Sequence, residues 1–312
     1  MKVFYSEECL KHEQHPGHPE RRERLERTLE VFRKHDFIEV CNPREYGEDV
    51  FKIHDEVYLE FLKKHRGYLT PDTMVYENTF KVAKLSAFCA LSAAENLGFS
   101  IARPPGHHAG YDFGGGFCYL NNVAIATSFV LKENERIMIV DWDAHHGNGT
   151  QNLFRGREDV FYISLHQYGI YPGTGSLSES GGNILNLPLP WGCGDFAYHQ
   201  IFEEILLPIA FFHKPEMILI SHGGDSHFKD YMSGLELSSN AYGIFVEKLL
   251  RVTKKISVVL EGGYEIESLA NSNLSIASAL EGERIEFDER SPGKILDLKK
   301  IKKILSEKWD IW

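Results

Sequence analysis

The sequence predicts an α/β protein in which a mainly parallel sheet carries helices on both faces. Two observations lead there. Strand-like apolar runs, "RIMIVDWD", "DVFYISLH", "NILNLPLP", "EMILISHGG" and "KISVVLEGGY", recur between helical segments such as "DFAYHQIFEEILLPIAFFHK" and "SSNAYGIFVEKLLRVTKK", which is the alternation of a parallel α/β sheet. The runs are also rich in Ile, Val and Leu without period-two alternation, as expected of strands buried on both sides.

Taken in chain order, the first part is the more helical. "PERRERLERTLEVFRKH" and "ENTFKVAKLSAFCALSAAENL" both carry apolar positions at helical spacing. The Arg and Glu residues of the former read as a solvated face with i,i+4 pairing. The tail "KILDLKKIKKILSEKW" reads as a terminal amphipathic helix docked on the surface. The 312 residues admit one large domain or two ordinary ones. No second core begins, so one domain over residues 1–312 is expected.

Composition narrows the function. A net charge of −11 argues against a general phosphate-backbone binder, and nucleic acid is not an expected direct partner. Cys9, Cys41, Cys89, Cys118 and Cys193 form no C-x-x-C pair. They indicate neither a disulfide framework nor a thiolate zinc knuckle, and suit a reducing interior. The start, "MKVFYSEECL", lacks the apolar region of a signal peptide, and no later window approaches a membrane span. The expected location is the cytoplasm, without membrane contact.

The informative regularity is where polar residues fall. Ligands of an open parallel sheet bind beyond the carboxyl ends of its strands. Here "DWDAHH", "HGGDSH" and "EGGY" each follow a strand, so one edge is expected to collect Asp141, Asp143, His145, His146, Asp225, His227 and Tyr264. If the strand continues through them, Asp143 and His145 project from one face and can grip one ion. With Asp225 as a third ligand, two carboxylates and an imidazole leave the open position of a catalytic zinc. The same residue types also occur as ordinary caps and turns at strand ends. In "RPPGHHAGYDFGGGFCYLNN" two prolines and Gly106 set an extended approach and a tight turn, so His107 and His108 can face one cavity.

"RPPGHH", "GFCYLNN", "DWDAHHGNGTQ", "YISLHQY…YPGTG", "HGGDSH" and "EGGY", in this order, resemble the zinc-dependent histone deacetylase family, which also contains acetylpolyamine amidohydrolases and acetoin-utilisation proteins. "HPGHPERRERL" resembles its first active-site loop, and "HHGNGTQ" is similar to the class II and polyamine-type members. The resemblance implies the arginase–deacetylase fold, a three-layer α/β/α domain with an eight-stranded, mainly parallel sheet. It implies Asp143, His145 and Asp225 as zinc ligands, with Fe2+ as the other candidate metal. His107 and His108 match the tandem histidines, and Tyr264 the transition-state tyrosine. Asp141 matches the carboxylate behind the first histidine, and Asn148 stands where one branch carries a second aspartate.

In the chemistry so implied, zinc polarises an amide carbonyl and activates water. His108 serves as general base, His107 as an imidazolium beside Asp141, and Tyr264 as oxyanion donor. Which histidine protonates the leaving amine is open at this point. Phe117 and Tyr171 match the aromatic walls of a tunnel, with Gly116 accepting the amide N–H. Cys118 reads as packing. Asp141, Ser164 and Leu165, with the carbonyls of Asp143 and His145, resemble a structural K+ site. A second such site resembles the backbone around Phe154, Arg157, Val160 and Asn183.

Met232 stands where polyamine-selective members carry an acidic gatekeeper, which favours acetyl-lysine or another acyl amine with an uncharged stem. Glu77 has two readings: a contact to peptide or polyamine, or a carboxylate in the first turn of a helix. The competing readings are an acetylpolyamine amidohydrolase, an arginase-like two-manganese hydrolase and a non-catalytic acetyl-amine binder. A monomer or small homo-oligomer is expected.

Overall fold

The computed structural model describes residues 1–309; residues 310–312 of the expected domain lie outside the described residues. In chain order the strands are β1 (Lys2–Phe4), β2 (Glu39–Cys41), β3 (Gly67–Thr70), β4 (Thr73–Val75), β5 (Phe99–Ser100), β6 (Ile137–Asp141), β7 (Val160–Gln167), β8 (Ile184–Leu189), β9 (Met217–His222) and β10 (Ile256–Leu260). The helices are α1 (Glu23–Phe32), α2 (Glu56–Lys64), α3 (Thr79–Asn96), α4 (Asn122–Val130), α5 (Asn148–Phe154), α6 (Asp195–Ile201), α7 (Leu207–His213), α8 (Ser239–Leu249), α9 (Ile266–Leu280) and α10 (Lys299–Ser306). Eight strands form one sheet in the order β2-β1-β5-β10-β9-β6-β7-β8. Every pairing in it is parallel, so the expected mainly parallel sheet is wholly so. β3 and β4 form a separate antiparallel hairpin.

Alternation along β6 accounts for the two helical layers. Ile137 and Ile139 share a core with Val123, Ala124 and Val130 of α4. Met138 and Val140 share the other core with Leu25, Phe202, Phe245 and Leu274. Just past the strand, Trp142 packs on Phe202, Tyr242 and Phe245 and donates its indole N–H to His222 Nδ1 at 2.8 Å. That anchor fixes the start of the segment bearing Asp143 and His145.

The chain runs from β6 to β7 on one side, while β9 leads to β10 on the other. β6 and β9 therefore flank the point where winding reverses, which is where ligands of doubly wound sheets bind. Asp143 and His145 follow β6, and Asp225 follows β9.

Several elements depart from expectation. The segment expected to be helical is helical throughout Asp195–His213, but a π-helical turn over Phe202–Leu206 separates α6 from α7. Pro208 has no N–H and its ring would collide with the carbonyl four residues back, so the wider turn accommodates it. Helix α10 begins only at Lys299, docked through buried Leu298 and Leu305. Among the described residues no helix is long and apolar enough to cross a membrane.

The charged face expected of the first helix is only partly solvated. Glu20, Arg24 and Arg103 are buried. Arg103 donates to Glu20 at 2.6 and 2.7 Å, and Arg24 reaches the same carboxylate at 3.2 Å. Burial opposes the charge on Glu20, yet Arg103 and His12 outweigh it and hold the pKa well below the usual range. Removing one partner of such a pair strands the other charge. Arg103→Met is expected to cost about 3 kcal/mol, the low end of the range for a broken buried pair because Arg24 stays. Urea unfolding measures it, and a change below about 1 kcal/mol contradicts this assignment.

Candidate active site

Asp143, His145 and Asp225 form the one group of three potential metal-binding side chains among the described residues, and all three are buried. β6 ends at Asp141, so Asp143 and His145 do not share a strand face as expected; they lie on the bend that follows. His145 Nδ1 is 3.1 Å from Asp143 Oδ1 and 3.0 Å from Asp225 Oδ2. The other carboxylate oxygens are fixed by backbone: Gly262 N–H donates to Asp143 Oδ2 at 2.8 Å and Ala144 N–H to Asp225 Oδ1 at 2.9 Å. Close approach requires glycine here. A Cβ on Gly223 would sit 2.1 Å from Asp143, and one on Gly262 2.5 Å from Asp225.

Burial and Asp143 push the Asp225 carboxyl up to about 7, against the pull of His145. Burial disfavours charge on His145, but Asp143 and Asp225 outweigh it and raise the ring to about 10. An imidazolium N–H held between two carboxylates is an arrangement that a divalent cation can replace, releasing the proton. Ligand atoms around tetrahedral zinc lie about 3.3 Å apart for bonds of about 2.0 Å; the two separations from His145 Nδ1 are close to that, and all three ligand atoms lie within 4.8 Å of one another.

The tandem histidines enter from the loop after β5. Asn121 Nδ2 donates to Ala109 O at 2.9 Å, Asn122 Nδ2 to Pro104 O at 3.0 Å, and Thr150 N–H to His107 O at 3.1 Å. His107 Nδ1 lies 3.1 Å from Asp141 Oδ2, which also accepts the Tyr162 hydroxyl at 2.9 Å. His108 Nδ1 lies 2.8 Å from Asn148 Oδ1, so its N–H points there and Nε2 is left as the basic nitrogen. Burial works against charge on His107, but Asp143 and Asp141 raise it to about 10. Burial, then the neighbouring His107 and His145, push His108 well below the ordinary imidazole value. The two neighbouring rings are thus pushed in opposite directions, His107 towards the charged form and His108 towards the neutral one.

Tyr264 follows β10, and its backbone N–H donates to buried Asp230 at 2.6 Å. Arg24 lies 5.0 Å over its ring and donates to the carbonyls of Gly263 and Glu261 at 2.6 and 2.5 Å. Burial raises the phenol well above its usual value, so its hydroxyl stays a donor. A cavity of about 110 Å³ is lined by His107, His108, Asp143, His145 and Tyr264 together with Asp72, Pro105, Gly116, Phe117, Tyr171, Met232 and Gly262. Phe117 holds a left-handed backbone, φ 69°, a conformation of roughly 1–3 kcal/mol cost that tends to mark functional sites. Its ring packs edge-on against His18 at 4.6 Å and Tyr264 at 5.9 Å. A roomier groove of about 290 Å³ beside α8 and α9 contains no histidine or cysteine.

The structure thus gathers most of the expected residues. His146 and His227 do not join them: His146 bonds Thr174 and Gln151, and His227 bonds Glu289 and Ser239. Glu77 is exposed, pairs with Arg66 at 2.7 Å and does not line the cavity. Cys118 is buried and donates to Gly116 O at 3.4 Å. Ser164 pairs with Asp141 across β6 and β7, and Leu165 follows it in β7. Sequence reasoning missed Asp72, Asp230 and Glu261. Asp72 announces itself only as the "PD" of a hairpin turn, and Glu261 as a charge closing a buried strand.

Residues 18–280 match the Histone deacetylase domain family. The chain is 41% identical over 308 residues to "Probable deacetylase" of Archaeoglobus fulgidus, covering 90% of this chain and 86% of that one. It is 35% identical to "Histone deacetylase 14, chloroplastic" of Arabidopsis thaliana, covering 82% and 70%. The crystal structure of the HDA15 HD domain superposes with a TM-score of 0.85 at 31% identity, covering 91% of each chain. The eight-stranded α/β/α architecture is accordingly the arginase–deacetylase fold, and the chain belongs to the histone deacetylase domain family.

Proposed function

We propose that this chain is a single-domain, zinc-dependent amidohydrolase that removes an acetyl or short acyl group from acetyl-lysine or a related acylated amine, releasing acetate and free amine. The observation that carries the reading is one cavity lined at once by Asp143, His145, both tandem histidines and Tyr264, with Asp225 bonded to His145. Asp143, His145 and Asp225 would hold zinc, or Fe2+, which supplies Lewis-acid polarisation of the acyl carbonyl and a water of pKa about 7. A single three-residue group among the described residues favours one ion over the two of an arginase-like site.

His108, neutral and oriented by Asn148, takes the proton from water as oxygen adds to the carbonyl carbon. The same nitrogen then returns a proton to the amine as the C–N bond breaks. His107, charged and backed by Asp141, stabilises the negative charge between these steps. Tyr264 donates its O–H to the carbonyl oxygen as charge develops there. Phe117 and Tyr171 flank the methylene stem, and the Gly116 carbonyl accepts the amide N–H.

Asp141, Ser164 and Leu165, with the carbonyls of Asp143 and His145, are the proposed K+ ligands. The second such position is not proposed, because Asn183 Nδ2 already donates to the carbonyls of Phe154 and Val160 at 2.7 and 2.8 Å. The proposal keeps the protein in the cytoplasm as a monomer or small homo-oligomer, without nucleic acid as direct partner.

Met232 on the cavity wall favours an uncharged stem, while Asp72, on the same cavity's lining, offers an ammonium a carboxylate. Acetylpolyamine is therefore the second substrate reading. A competition screen of acetyl-lysine peptides, acetylated polyamines and longer acyl variants, ranked by kcat/KM, is expected to place acetyl-lysine first. Polyamines ranked first would transfer the assignment to them, and no turnover of any acyl amine would leave a binding protein.

A further inference from the structure

Glu261 is the residue of "LEGGY" to which neither the metal nor the chemistry assigns a part. It is fully buried just past β10. Its Oε2 accepts the backbone N–H of Gly106 at 2.6 Å and of His107 at 3.1 Å, and its Oε1 accepts the Ser221 hydroxyl at 3.0 Å. Its own N–H donates to His222 O at 2.7 Å, so the carboxylate is built into the sheet's edge.

We infer that Glu261 is a positioning residue, holding the His107–His108 turn in register with Tyr264, three residues further along the same strand exit. The other clamps on that turn run from α3, α4 and α5 through Ser86, Asn121, Asn122 and Thr150, and from Asp141 at the end of β6. Glu261 ties it instead to the segment bearing the tyrosine. A general base and an oxyanion donor must keep their separation to within a fraction of an ångström for both to meet one carbonyl. A single side-chain oxygen shared by two successive N–H groups fixes such a turn with one side chain. The contribution is reach and acceptor geometry, acting through His107 and His108.

The inference rests on the amidohydrolase reading, and two isolated variants separate reach from charge. Glu261→Gln keeps the reach: its carbonyl oxygen can take both N–H groups while its amide donates to Ser221. Its kcat is expected within about fivefold of wild type. Glu261→Asp keeps the charge but withdraws the oxygen by one methylene. It is expected to lose kcat by about 10- to 100-fold, the size of comparable supporting-residue effects, with KM little changed and zinc content unchanged. An inactive Gln variant, or an Asp variant with wild-type kcat, overturns the inference. Amide exchange on the wild type needs neither variant nor substrate: the N–H groups of Gly106 and His107 are expected to exchange as slowly as those of β10. Exchange as fast as an open loop overturns the clamp, whereas slow exchange in an enzyme inert to every acyl amine would indict the function and not the clamp.

Discussion

Asp225→Asn is expected to lower kcat/KM by about 10³-fold or more, and to leave protein purified without chelator with well under one equivalent of metal. The amide keeps an oxygen for the Ala144 N–H that now bonds Oδ1. What it loses is the negative charge at Oδ2, 3.0 Å from His145 Nδ1. Lewis-acid polarisation is a term of several kcal/mol, and each 1.36 kcal/mol is tenfold in rate. Thermal unfolding supplies a second readout. Added zinc stabilises whatever binds it in the folded state, so it raises the wild-type Tm and leaves that of the variant nearly unchanged. A variant that keeps its metal and its rate would remove Asp225 from the ligand set.

Tyr264→Phe is the second large effect, with kcat reduced about 10²- to 10³-fold, the loss typical of one oxyanion donor. KM is expected to change little, because in the proposed mechanism the hydroxyl acts where charge develops and not on the resting amide. The fold is expected to tolerate the change. The ring keeps Arg24 at 5.0 Å and Phe117 at 5.9 Å, and the backbone N–H keeps Asp230. A folded variant with unchanged kcat would leave Tyr264 a packing residue.

The long central strands β6, β7, β9 and β10 are legible because burial on both faces leaves unbroken apolar runs. β1, β2 and β5 are not, since two or three residues carry no periodicity; backbone pairing to their neighbours makes them strands. The site is legible where Asp, His and Gly gather after a strand, as in "DWDAHH" and "HGGDSH". It is illegible where partners are remote. Nothing local marks His227 as the partner of Glu289, or sets His146 apart from His145. Arg24 hides in a run of charged residues, although its spacing from Thr28, Val31 and Phe32 places it on the buried stripe of α1. Only the tertiary fold sets it beneath Tyr264.

The central claim is that Asp143, His145 and Asp225 hold one divalent cation in the cavity shared with His107, His108 and Tyr264. An anomalous difference map from crystals grown without chelator, collected at the zinc edge and repeated at the iron and manganese edges, tests it most directly. A single peak about 2.0–2.2 Å from one atom of each of the three side chains is the result predicted. A map with no peak there, or with two manganese peaks about 3.5–4 Å apart, would contradict it.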